Sequence, residues 1–127
     1  MKTRSLAQSF CCAIHGVRAV LRSERNMRIH FAAAACVMAA AAVLRVSAVE
    51  LACLALAVAL VLICELTNTA FELMCDIACP TWETRVKTVK DIAAGTVLVS
   101  AAWATVVGAA ILGPKLVEAA RALLRLA

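Results

Sequence analysis

Three apolar runs, at 29–44, 51–64 and 92–112, constrain this chain more than any other feature of its sequence, and with the residues at their ends they give candidate spans at 29–49, 51–75 and 92–112. The last run meets the roughly 20 residues that a helix needs to cross a bilayer. The first two are long enough only if the polar residues at their ends are helical and lie near the lipid headgroups. We therefore expect an all-α membrane protein with three transmembrane helices.

The composition agrees with lipid as the solvent. Of the 127 residues, 65% are hydrophobic and 17% are charged, whereas a soluble domain is about half apolar and a quarter charged. So small a chain cannot hide that much apolar surface in a water-soluble core. The seven cysteines are odd in number and lack zinc-site spacing, which favours reduced thiols. The interpretation is one membrane-embedded domain over 1–127.

Both ends of the chain look amphipathic. Within 1–28, Leu6, Phe10 and Ile14 recur at helical spacing on one side and arginines occupy the other. This pattern predicts a helix that lies in the membrane interface. A second amphipathic stretch, 114–127, begins at a proline and is predicted to form a separate tail.

The distribution of Lys and Arg predicts the orientation. Six basic residues lie in 1–28 and three in the 76–91 loop, while the turn between the first two spans holds only Arg45. Basic residues accumulate in cytoplasmic loops, so we expect the N-terminus and the 76–91 loop in the cytoplasm. The three basic residues of the tail oppose this assignment and carry less weight.

A polar face follows the second apolar run. At about 100° per residue, Asn68, Glu72 and Asp76 fall within about 60° of Glu65 on the helix surface. Glu65 lies about 21 Å from the start of the run, within a hydrocarbon core roughly 30 Å thick. An ionisable residue at that depth indicates function. A structural hydrogen-bond ladder is the alternative, but it would not need carboxylates.

Two further charged groups extend this hypothesis. Lys90 and Asp91 form an opposite-charge pair that opens the third span, where a lysine could hold phosphates. Glu24, the only acid in the first 49 residues, could complete an oxygen site for Mg²⁺ together with Glu72. Carboxylates, a lysine and a buried glutamate suit phosphoryl transfer, although no P-loop motif is present. The residues by themselves predict a phosphotransfer site or an ion-coupled site.

The motifs are similar to those of a known family. They read ELTNTAFELMCD over 65–76 and VKDIAAGTVL over 89–98, and they closely resemble the two signatures of the prokaryotic diacylglycerol kinase family. The segment ERNMRIH over 24–30 resembles the Gram-positive branch of that family, whose members phosphorylate undecaprenol. The resemblance covers roughly residues 5–112.

The resemblance implies a homotrimer of three-span subunits with composite active sites at the cytoplasmic face. Each site would transfer the γ-phosphate of MgATP to a lipid hydroxyl. Glu65 would be the general base on that hydroxyl. The remaining implied contacts are Glu24 and Glu72 to the metal, Asn68 and Lys90 to phosphates, and Asp91 on the nucleoside side.

Three functions remain open from the sequence. Undecaprenol kinase is the first choice, diacylglycerol kinase is the alternative, and a small ion-coupled transporter is a remote third. The expected cofactors are ATP and Mg²⁺. The expected partners are a lipid alcohol, membrane lipids and further copies of the chain, with no nucleic acid.

Overall fold

The computed structural model describes residues 5–125, and all of its regular structure is helical. The four helices are α1 (Leu6–Ser23), α2 (Arg25–Val43), α3 (Ala48–Ala78) and α4 (Thr84–Leu124). The first four residues of the predicted interfacial helix and the last two of the predicted tail lie outside the described residues. The expected all-α fold is confirmed.

Helix α1 begins at a capping box. The Gln8 backbone N–H donates to Ser5 Oγ at 3.3 Å, and the Ser5 N–H donates to Gln8 Oε1 at 3.0 Å, so two otherwise unpaired backbone donors are satisfied. The helix contains no buried residue, and Leu6 and Phe10 are largely exposed. The helix exists as expected, and its location at a membrane interface stays a prediction.

Glu24 separates α1 from α2. Its backbone is extended (φ −94°, ψ 122°), which ends the first helix and starts the second. Arg28 stabilises this α1–α2 joint at Glu24, because its Nη1 donates to the carbonyls of Leu21 at 3.4 Å and Arg22 at 3.0 Å. These carbonyls have no partner within α1, as is usual for the last turn of a helix.

Helices α2, α3 and α4 are each long and apolar enough to cross a membrane, which confirms the expected number of such helices. The helices are longer than the apolar runs, since α3 has 31 residues and α4 has 41. Polar residues extend α2 at its N-terminal end and α3 at its C-terminal end. The expected continuation of the first span to residue 49 is wrong, because α2 ends at Val43 and Arg45 has a positive φ of 50° in the turn that follows. The turn into α3 is closed by a second capping box, between Ser47 and Glu50.

The predicted division between the third span and a separate tail is not seen. Helix α4 continues through Pro114 to Leu124. A proline removes one backbone N–H and often ends or kinks a helix. Here both sides of Pro114 are held against α3, because Leu112 is buried and Lys115 Nζ lies 3.3 Å from Glu50 Oε2.

Helices α3 and α4 are antiparallel and make the most extensive contact of the fold. Two ion pairs mark their register, Glu50 with Lys115 near one end and Asp76 with Lys90 near the other. Glu65 is fifteen residues from Glu50, and Ser100 is fifteen residues from Lys115. Because the rise per residue is constant in a helix, the register puts Glu65 level with Ser100, and both side chains are buried.

Few apolar side chains are buried inside this chain. One cluster, formed by Ala41, Leu54 and Leu112, joins α2, α3 and α4 at the end that holds the Glu50–Lys115 pair. Many large apolar side chains of the spanning helices face outward, such as Leu56 and Trp103. In a membrane such surfaces contact lipid or other helices at no hydrophobic cost.

Candidate active site

Glu65 is the most deeply buried charged residue in the described part of the chain. Its side chain is 2% exposed, and Oε2 has no hydrogen-bond partner among the described residues. Ala41 of α2 packs against Leu54 of α3, and His30 precedes Ala41 by eleven residues just as Glu65 follows Leu54 by eleven. Because the rise per residue is constant, this register puts His30 of α2 level with the glutamate that the sequence places deep in a span.

Asn68 lies between Glu65 and Glu72 on the polar face of α3 and binds Glu72. Its Nδ2 donates to Glu72 Oε1 at 3.0 Å, which fixes one carboxylate oxygen of Glu72. The amide Oδ1 is buried and has no partner in the part of the chain that the structure describes. By contrast, the neighbouring Thr69 hydroxyl is satisfied, because it donates to the Glu65 carbonyl at 3.1 Å. Glu65 and Asn68 thus each present an unpaired polar oxygen.

Lys90 of α4 contacts the polar face of α3 at Asp76, the last acid of that face. Its Nζ lies 2.5 Å from Asp76 Oδ1, and Glu72 also acts on it electrostatically. The side chains of Lys90 and Asp76 are 32% and 64% exposed, so this end of the site is open to the surroundings. Lys90 of α4 therefore lies beside a carboxylate of α3.

Asp91 does not belong to this cluster, and the expected Lys90–Asp91 pair is not formed. Asp91 instead pairs with Lys87, one turn earlier on α4, and both side chains are more than half exposed. Successive helical residues point about 100° apart, so neighbouring residues 90 and 91 face different partners. The pair also does not open the helix, since α4 begins at Thr84.

The carboxylates suit a magnesium ion that is also held by phosphates. Mg²⁺ is commonly bound by one or two protein carboxylates together with water and substrate phosphate oxygens. Glu72 keeps one carboxylate oxygen outside its bond to Asn68, and Glu24 lies at the N-terminal end of α2, six residues before His30. Within residues 5–125 no cluster of three or more His, Cys, Asp or Glu side chains forms an all-protein metal site. The donor set fits Mg²⁺ delivered with a nucleotide.

The sequence matches the model of the family described as prokaryotic diacylglycerol kinase over residues 11–112. The chain belongs to this family. The matched range includes the motif over 65–76, which forms the polar face, and the motif over 89–98, which contains Lys90. It confirms the resemblance on which the kinase interpretation depends, and it places the chain among lipid kinases.

Two relatives illustrate the range of the family. A protein named diacylglycerol kinase from Synechocystis sp. (strain ATCC 27184 / PCC 6803 / Kazusa) is 40% identical over 115 residues, which cover 90% of this chain and 66% of the relative. A protein named undecaprenol kinase from Bacillus subtilis (strain 168) is 34% identical over 109 residues, which cover 86% of this chain and 89% of the relative. The chain is thus similar to kinases named for two different lipid alcohols.

Two residues of the cluster have no role in the interpretation from sequence. Asp76 lies on the predicted polar face, but its pairing with Lys90 depends on the register of two distant helix segments. His30 lies in the segment that resembles the Gram-positive branch, and its position level with Glu65 depends on how α2 packs on α3. Two sequence features could have indicated them: Asp76 continues the polar face by one helical turn, and His30 is a histidine within an apolar helix.

Proposed function

We propose that this protein is a lipid kinase that transfers the γ-phosphate of MgATP to the hydroxyl of a lipid alcohol. The observation that carries this proposal is the burial of Glu65 in a spanning helix with an unpaired carboxylate oxygen. Burying an unpaired carboxylate is costly, and a base placed to meet an incoming hydroxyl accounts for that cost.

In the proposed step Glu65 takes the proton of the lipid hydroxyl. The hydroxyl oxygen then forms a bond to the γ-phosphorus, and the bond from that phosphorus to the oxygen bridging it to the β-phosphate breaks. ADP leaves with the electron pair of that bond. General-base assistance of this kind contributes about 10²- to 10⁴-fold to rates.

The phosphates would be held by the other polar groups of the cluster. Lys90 offers an ammonium to the phosphates, in competition with its bond to Asp76, and Asn68 offers its amide. Glu24 and Glu72 would hold the magnesium ion, which neutralises charge that builds up on the phosphates. Asp91 pairs with Lys87 outside this cluster, and its proposed role is a contact with the nucleoside part of ATP.

The choice of lipid rests on resemblance. Undecaprenol is the first choice because 24–30 resembles the Gram-positive branch and a 34% identical relative is named undecaprenol kinase. Diacylglycerol is the alternative, since the 40% identical relative is named for it. A surface of Ala, Val and Leu distinguishes such hydrocarbon chains poorly.

The family resemblance and the charge pattern support a homotrimer in the bacterial plasma membrane with the site on the cytoplasmic side. The basic residues near the α1–α2 joint and in the 76–91 loop favour that side. Glu24 lies at the joint, and the Asp76–Lys90 pair flanks the loop. The same side of the membrane would then carry the nucleotide and the charged end of the site.

The test is transfer of labelled γ-phosphate from MgATP into extractable lipid by the purified protein. Undecaprenol and diacylglycerol are supplied in parallel micelles, and Glu65→Gln is the inactive comparison. Label in either lipid that depends on Glu65 supports the proposal, and the preferred lipid decides between the two substrates. Folded protein that labels neither lipid would contradict it and favour the ion-coupled alternative, which needs no lipid acceptor.

A further inference from the structure

An apolar groove runs along the bundle between α2, α3 and α4. Its volume is about 550 Å³, and along α4 it extends from Ala101 to Leu116, which is about 22 Å at the helical rise. Its wall is made almost entirely of alanine, valine, leucine and glycine side chains. The groove lies between spanning helices, so its surroundings in the membrane are hydrocarbon.

Only two polar side chains line this groove, His30 and Thr105. The Thr105 hydroxyl is already satisfied, because it donates to the Ala101 carbonyl at 2.9 Å. Neither ring nitrogen of His30 forms a hydrogen bond or ion pair with a described residue, and the ring is only partly exposed. The groove therefore has one end at which a polar group is available.

That end adjoins Glu65. The α3 wall of the groove includes Leu54, Ala57 and Val61. Glu65 follows Val61 by one turn on the same buried face of α3. The packing of Ala41 on Leu54 puts His30 level with Glu65, and His30 lines the groove together with Val61, so the groove ends beside the imidazole and the unpaired carboxylate oxygen.

We propose that His30 binds the hydroxyl of the lipid alcohol and positions it against Glu65, with the hydrocarbon chain of the same molecule in the groove. The inference rests on the proposed lipid kinase activity and adds the residue that recognises the acceptor group. A molecule with a long apolar body and one polar end matches a groove that is apolar along its length and polar at one end.

The two side chains would divide the hydrogen-bonding capacity of the hydroxyl. The imidazole N–H of His30 donates to the hydroxyl oxygen, and the hydroxyl hydrogen is thereby left for the unpaired oxygen of Glu65. On transfer the proton moves to Glu65 and the oxygen forms its bond to phosphorus. His30 neither gains nor loses a proton, so its contribution is to substrate binding.

The test compares wild type with His30→Ala and His30→Gln in the transfer assay. A neutral hydrogen bond is worth about a tenfold change in binding, so His30→Ala should raise the KM for the lipid alcohol about tenfold. The KM for MgATP and the lipid-independent hydrolysis of ATP should stay unchanged. His30→Gln keeps an N–H donor and should restore most of the loss. His15→Ala, which changes the other histidine of the chain, is the matched control and should leave the KM for the lipid unchanged.

A second variant tests the groove independently of the head group. A Cβ added at Gly108, which lines the groove, meets nothing within 4 Å, so Gly108→Leu fills the groove without a backbone clash. The probe is a hydrocarbon of the same chain length without the hydroxyl, measured as a competitive inhibitor. Gly108→Leu should weaken both the inhibitor and the alcohol, whereas His30→Ala should weaken only the alcohol.

The outcomes separate this inference from the proposed activity. If wild type transfers phosphate but His30→Ala keeps the wild-type KM for the lipid, His30 does not bind the hydroxyl and the kinase proposal stands. If His30→Ala or Gly108→Leu instead changes the oligomeric state in detergent, the groove is a contact between copies of the chain, and the inference is overturned. If wild type phosphorylates no alcohol, the proposed activity fails first.

Discussion

Replacing Glu65 by glutamine separates a catalytic role from a structural one. The substitution keeps the side-chain volume and removes the charge from a residue that is 2% exposed and has one unpaired oxygen. Losing a general base should slow phosphate transfer by about 10²- to 10⁴-fold. At 1.36 kcal/mol for each factor of ten, this corresponds to about 2.7–5.4 kcal/mol of transition-state stabilisation.

The effect on stability should have the opposite sign or be absent. A buried polar group without a partner costs roughly 1–3 kcal/mol, and more when it is charged. Glutamine carries no charge, and no hydrogen bond of the Glu65 carboxylate is lost at Oε2. The free energy of unfolding of the variant should therefore equal or exceed that of the wild type.

The assay measures both quantities on the same preparations. Phosphate transfer is followed with labelled γ-phosphate in lipid micelles, and thermal unfolding is followed in the same detergent. Glu50→Gln is the matched control, because Glu50 lies on the same helix but pairs with Lys115 at its opposite end. That variant should lose some stability and keep its activity.

Two results would refute the reasoning. Near-normal transfer by Glu65→Gln would show that this carboxylate is not the base. A large loss of stability together with the loss of activity would show that Glu65 supports the packing of the helices, and the burial of its carboxylate would then need a structural explanation.

Three further predictions concern the surroundings of the site. Asn68→Ala removes the 3.0 Å bond that fixes Glu72 and should raise the Mg²⁺ concentration needed for half-maximal transfer; an unchanged requirement would separate Asn68 from the metal site. Lys90→Gln should raise the KM for MgATP whereas Arg85→Gln, which removes an exposed basic side chain of the same segment, should not, and equal effects would argue against a specific phosphate contact. Pro114→Ala restores a backbone donor inside α4 and should raise thermal stability, by up to about 3 kcal/mol, with activity unchanged; a lower melting temperature would show that the bundle requires the proline.

Local sequence patterns, namely apolar length and helical periodicity, were enough to predict the helices and one polar face. Helical periodicity depends only on neighbouring residues, so spacing alone places Glu65, Asn68 and Glu72 on one side of α3, and the structure agrees through burial and the Asn68–Glu72 bond. The three spans followed from apolar length, because a bilayer sets a minimum that a short run cannot meet. Both constraints are properties of single segments, so they do not depend on how the helices pack.

Packing decided which charges meet. Lys90 is next to Asp91 in sequence, yet it pairs with Asp76, fourteen residues away, because the antiparallel register of α3 and α4 brings those two side chains together. That register is the sum of many weak apolar contacts along both helices, which no single motif encodes. The same packing carries α4 through Pro114 and holds Lys115 on Glu50.

The sequence by itself determined that three segments are long and apolar enough to cross a membrane and that one helix carries acids on one face, because length and periodicity are properties of each segment alone. Only the tertiary structure decided that His30 of α2 lies level with Glu65 of α3 and that an apolar groove ends beside them. The physical reason is that these distances depend on how separate helices are placed against one another, and that placement results from contacts spread over the whole bundle.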